Sequence, residues 1–154
     1  MAILFNELLE SVNINPSDVR LLRHKDHRSK KGRDPYNLWC HERDQFDLYQ
    51  SVQGFHQRAN LCSKYWASFV GTPEGETMFV GVFEATYLGL LDKDTPKPQM
   101  DGIDKAGTVD KYELSLIDGL DKYIGKLYIE WGDGYRAWVQ HADTKEKVIT
   151  KIIE

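Results

Sequence analysis

Tyr65-Trp66-Ala67-Ser68-Phe69-Val70-Gly71-Thr72-Pro73-Glu74-Gly75-Glu76-Thr77-Met78-Phe79-Val80-Gly81-Val82-Phe83-Glu84-Ala85-Thr86-Tyr87-Leu88 reads as two β-strands around a turn. Aromatic and β-branched residues fill both arms, and Thr72–Glu76 supplies the turn chemistry. Gly81 inside the second arm marks a bulge or a close backbone approach. Successive strand residues face opposite sides. Tyr65, Ala67 and Phe69 therefore share one side, and Trp66 and Ser68 share the other. That second environment is either a covering helix or a pocket.

Further strands follow. Tyr112 to Ile117 alternates cleanly. Leu127–Trp131 and Tyr135–Gln140 flank Gly132-Asp133-Gly134, a hairpin signal. Val148 to Ile153 is β-branched and favours a strand. Residues 92–108 read as a long surface loop. The first half is more helical: residues 2–12 carry Leu4, Phe5, Leu8, Leu9 and Val12 at helical spacing. Val19–His24 reads as a strand and residues 25–33 as a solvated loop. Asp34 is a good N-cap with Pro35 at the first helical position, and a helix runs on to about Val52. A short helical piece over 56–62 completes the pattern. The expected fold is α+β: a small curved barrel of about six strands, mixed or antiparallel, with two or three helices packed against it.

The 154-residue chain is most simply one domain of ordinary soluble composition, 41% hydrophobic and 29% charged. The first ten residues reach Glu7 without a basic region, unlike a signal peptide, and no apolar run approaches a membrane span. Two cysteines, Cys40 and Cys62, give no disulfide framework and read as small buried hydrophobes, so a reducing cytoplasm is the default. The closing Lys151-Ile152-Ile153-Glu154 reads as the edge of a longer protein.

The net charge is −4, but it is unevenly spread. Residues 17–33 hold seven basic and two acidic side chains; the rest of the chain holds thirteen and twenty-two. Arg23, Lys25, Arg28, Lys30, Lys31 and Arg33 suit phosphate contacts, and the aromatic helix start that follows suits base stacking. The candidate backbone-binding residues are therefore those six cations. The candidate base pocket is His24, Tyr36, Trp39, Trp66 and Ser68, with Trp131, Arg136 and Trp138 as a secondary group. The plainer alternatives are a solvated charge run, a tryptophan buried under a helix, and a structural cation–π pair at Arg136 and Trp138.

Other chemistry is weaker. His24-Lys25-Asp26-His27 has metal-ligand residue types but no supporting cluster, Cys40-His41 with His56 and Cys62 lacks zinc-ligand spacing, and no phosphate-cradling loop or serine elbow is present. Asp118 and Glu130, read as lying on neighbouring strands, are the one nuclease-like carboxylate pair, without the lysine such sites use. No cofactor and no metal are called for.

Two stretches carry a resemblance. One is Leu21-Leu22-Arg23-His24 with Asp26, Arg33, Pro35-Tyr36 and Leu38-Trp39. The other combines Tyr65-Trp66-Ala67-Ser68-Phe69-Val70-Gly71 with Trp131-Gly132-Asp133-Gly134-Tyr135-Arg136-Ala137-Trp138-Val139-Gln140. Together they resemble the N-terminal region of bacterial proteins that continue into a GIY-YIG nuclease domain. The resemblance implies a non-enzymatic recognition module that places a nuclease, in cis, on double-stranded DNA within a modification-dependent restriction protein. A curved barrel with early helices also resembles the PUA-like group, whose SRA and EVE domains read modified bases. The residues themselves do not separate DNA from RNA. A metal-dependent nuclease or RNA-processing domain, and a protein-interaction domain, are the alternatives.

Overall fold

The computed structural model describes residues 3–24, 35–54, 61–90, 109–132, 138–139 and 147–154. In chain order these form β1 (Ile3–Leu4), α1 (Phe5–Ser11), β2 (Val19–His24), α2 (Pro35–His41), α3 (Arg43–Ser51), β3 (Val52–Gly54), β4 (Tyr65–Gly71), β5 (Thr77–Leu90), β6 (Val109–Leu116), β7 (Leu127–Ile129), β8 (Trp138–Val139) and β9 (Val148–Ile152). The fold is α+β, with three α-helices among the described residues. None of them is long and apolar enough to cross a membrane.

The strands join one sheet in the order β1-β9-β7-β5-β4-β2-β8, with β6 added to β5 and β3 to β6. Every pair is antiparallel except β2 with β4. Parallel neighbours cannot be joined by a tight turn; they need a crossover of a dozen residues or more. Here α2 and α3 lie in that crossover and are held to one face of the sheet. Leu38, Phe46 and Tyr49 of the helices pack there against Val70, Met78 and Val80. Beside them Trp66 packs with Leu22, Leu61 and Tyr112. The opposite face carries the larger core: Phe5 and Leu9 of α1 meet Leu21, Ala67, Phe69, Phe79 and Leu127.

The α+β class is as expected; the sheet is not closed among the described residues, so the expected barrel is not seen in them. Its edges are protected instead by brevity: β1 and β8 have two residues each and β3 has three. The expected hairpin at Gly132–Gly134 also differs. β7 pairs with β5 and β9, while β8 pairs with β2; residues 133–137 lie outside the described residues, as do the expected loop at 92–108 and most of the helical piece at 56–62. The single helix expected to reach Val52 is broken at Glu42, whose φ −140 and ψ 64 leave the helical region. In an unbroken helix the Trp39 carbonyl would accept from the Arg43 backbone N–H. Here it accepts from the Arg43 side chain, Nε to O at 2.7 Å.

Gly81 behaves as its position suggested. Ser68 pairs with Gly81 and Phe69 with Phe79, so β5 bulges there. Its φ of +135 is a glycine conformation, and an added Cβ would come within 2.6 Å of Leu116 Cδ1. A second irregularity falls between Tyr87 and Gly89. Each bulge sharpens the local bend. Gly81→Ala is therefore expected to destabilise the protein by about 1–3 kcal/mol through backbone strain. Chemical denaturation checks this, and an unchanged midpoint would show that the bulge tolerates a side chain.

Candidate nucleic-acid interface

The parallel register sets which predicted site residues can act together. Leu22 pairs with Ser68, Arg23 with Phe69 and His24 with Val70. Alternation then puts Arg20, Leu22 and His24 on the helix-covered face and Arg23 on the other. Arg23 and His24 cannot contact one ligand from the same side. Arg23 instead lines a cavity of about 510 Å³ with Glu76, Thr77, Glu130 and Trp131.

Three of the expected base-pocket residues are interior. His24 Nε2 lies 3.0 Å from Gln50 Oε1, and its ring stacks edge-on against Phe46 and Tyr49 at 5.5 and 5.3 Å. It joins β2 to α3. Trp66 is fully buried; its Nε1 donates to the Leu61 carbonyl at 3.3 Å, and Tyr112 packs 4.7 Å from the indole. With ring and N–H both engaged in the core, no stacking face is offered. Ser68 is equally buried, and its Oγ has no hydrogen-bond partner among the described residues. Trp66 is covered, though by Leu61 and by Tyr112 of β6 rather than by a helix, and His24, Trp66 and Ser68 lie in the interior rather than around an open pocket.

The secondary group fares similarly. Trp131 is buried 5.8 Å from Phe69, with the Lys147 ammonium 5.0 Å over its ring and donating to its carbonyl at 2.6 Å. Arg136 lies outside the described residues, and of Trp138 only the backbone is described, paired with Leu22 in β8. Cys40 and Cys62 are exposed, contrary to the buried role expected of them.

Tyr36 and Trp39 remain. Both are half-buried on α2. A hydrogen bond to Cys40, then burial, pushes the Tyr36 hydroxyl up. Trp39 stands at a cavity of about 570 Å³ between the helices and the outer part of the sheet. Arg43, Phe46 and Gln50 wall it on the α3 side; Lys111, Leu114 and Leu116 wall it from β6. Lys111 Nζ donates to Ser51 Oγ at 2.7 Å, tying β6 to the end of α3. Asp47 also lines the cavity. Burial, and then the nearby Asp44 charge, push its carboxyl up, while Arg43 opposes the shift.

Lys25, Arg28, Lys30, Lys31 and Arg33 lie outside the described residues. The attachment points of their run are fixed. It leaves β2 at His24, which touches the cavity residues Phe46 and Gln50, and rejoins at Pro35, one turn before Trp39. The cavity residues Arg43, Phe46 and Lys111 were not singled out from sequence. The four-residue spacing of Trp39 and Arg43 was the available signal.

Asp118 and Glu130 are not on neighbouring strands. They follow β6 and β7, and each of those strands pairs with β5 rather than with the other. Among the described residues no group of three His, Cys, Asp or Glu side chains could hold a metal ion. No protein-family model, no curated protein and no solved structure matches this chain.

Two stability predictions follow from the buried polar groups. Ser68→Ala removes an unpaired buried hydroxyl, so stability is expected to hold or to rise by up to about 1 kcal/mol. A clear loss in a denaturation curve would mean that the hydroxyl has a partner.

Burial pushes Tyr49 from 10.0 up to about 12. The fold therefore favours the neutral phenol. This contribution is whole below pH 10 and is lost as pH rises from there through about 12. In a comparison of wild type with Tyr49→Phe, the wild type is expected to lose about 2–3 kcal/mol more over that window. Other alkaline titrations are common to both proteins. Parallel stability curves would show that Tyr49 ionises without penalty.

Proposed function

We propose that this chain is a non-enzymatic nucleic-acid recognition module. The cavity beside α2 receives a base, and the cations from Lys25 to Arg33 hold the flanking phosphates. One observation carries the proposal: each end of the basic run adjoins residues that line the cavity, His24 touching Phe46 and Gln50, and Pro35 opening the helix that carries Trp39. The cavity's volume falls in the range of about 300–1,000 Å³ usual for small-ligand sites; its lining is mostly apolar, and its charged groups are two cations, Arg43 and Lys111, and two carboxylates, Asp47 and Glu113. Stacking supplies about 1–3 kcal/mol per base and tolerates sequence, while phosphate contacts supply salt-sensitive affinity. Recognition of a modified base in duplex DNA, a nuclease domain in cis, a restriction role and a cytoplasmic location are parts of this proposal supported by the sequence resemblance alone.

A specific observation favours a second reading, a protein-docking domain. Tyr87, Leu88, Leu90 and Leu116 are exposed on the β5–β6 extension beside the same cavity. Trp131 is buried and takes no part in that surface.

Fluorescence anisotropy with single-stranded DNA, duplex DNA (modified and unmodified) and RNA, each at two salt concentrations, separates these readings. Trp39→Ala is expected to weaken binding about ten- to hundredfold. Reversing the charges of Lys25, Arg28, Lys30, Lys31 and Arg33 should flatten the salt dependence, by about 0.9 in slope per lost phosphate contact. Trp66→Phe should leave affinity unchanged. Absence of binding to every nucleic acid, with a protein partner competing for the β5–β6 extension, would favour the docking reading.

A further inference from the structure

We infer that Arg43 is the surface on which a base stacks in the α2–α3 cavity, with Trp39 as its backing; the inference rests on the nucleic-acid reading above. The guanidinium carbon lies 4.1 Å over the indole ring. Its Nε donates to the Trp39 carbonyl at 2.7 Å. One residue thus fixes the guanidinium plane twice, through its ring and through its backbone. The helix break at Glu42 makes this possible, because it frees the Trp39 carbonyl from the backbone ladder.

The indole has little freedom to move away. A Cβ at Gly125 would come within 3.1 Å of its Cη2 atom, so the ring edge already sits against the backbone there. One indole face is therefore taken by Arg43. Arg43 itself is exposed and lines the cavity. A planar guanidinium stacks on nucleobases as an aromatic ring does. It also keeps in-plane N–H donors for a phosphate oxygen, which a tryptophan cannot supply. Asp47, one turn further along α3, interacts with Arg43 by charge and competes for those donors. Lysine would keep the charge but not the plane, so Arg43→Lys isolates stacking from electrostatics.

The test has a ligand-free arm and a binding arm. In the first, acrylamide quenching of tryptophan emission is compared in wild type, Arg43→Lys and Arg43→Ala. Trp66 and Trp131 are buried and contribute little. Both variants should raise the quenchable fraction, and Trp39→Phe in the same background should abolish the rise. Unchanged quenching would overturn the capping of Trp39 by Arg43. In the second arm, a labelled oligothymidylate is titrated beside inorganic polyphosphate, which has charge but no ring. Arg43→Lys should weaken oligothymidylate binding about tenfold and leave both its salt slope and polyphosphate affinity as in wild type. Wild-type affinity for oligothymidylate in Arg43→Lys would overturn the stacking role and leave the nucleic-acid reading standing. If wild type binds no oligothymidylate, single-stranded or duplex DNA, or RNA, both fall together.

Discussion

The parallel pairing of β2 with β4 is the constraint on which the remaining architecture depends. Two strands running the same way cannot be joined by a turn, so the chain must leave the sheet and come back. The helices α2 and α3 occupy that excursion, and they cover a face that an all-antiparallel sheet could leave to water. Both faces of β4 are buried as a result: Ala67 and Phe69 on one, Trp66, Ser68 and Val70 on the other. The cavity lies where the helical cover meets the outward extension of β5 and β6. The basic run belongs to the same stretch of sequence, and one topological fact accounts for the helices and the second core.

The strands around the Thr72–Glu76 turn were legible because their signals are local. A turn with Pro73 and Gly75, β-formers on both sides and one glycine inside the second arm needed no distant information. The β-branched residues near the C-terminus were legible as β9 for the same reason. Gly81 was legible as a bulge because a glycine inside a β-rich run has few other uses.

What failed depended on partners far away in sequence. Gly132-Asp133-Gly134 looks like a hairpin, yet the strands on either side of it pair with β5, β9 and β2. Trp66 was correctly given an environment separate from that of Tyr65. Sequence alone could not decide between a ligand and a protein cover, since a core and a pocket use the same residue types. The basic run read as one electrostatic unit, but strand alternation sends Arg23 and His24 to opposite faces, which a linear charge count cannot show. The break at Glu42 lies within good helical periodicity, and the Arg43 side-chain bond to the Trp39 carbonyl that accompanies it leaves no mark on that periodicity.

β5 is hydrogen-bonded along both edges near each end of its inner half. It pairs with β4 from Thr77 to Glu84, with β7 at Thr77 and Met78, and with β6 from Phe83 onward. Its side chains alternate between the two cores, with Phe79 and Val82 in one and Met78 and Val80 in the other. Loss of order in β5 would therefore disrupt both cores at once. The two hydrophobic layers are thus coupled through one strand, and the cavity wall at Val80 and Phe83 is continuous with the strand that carries Phe79 into the α1-side core.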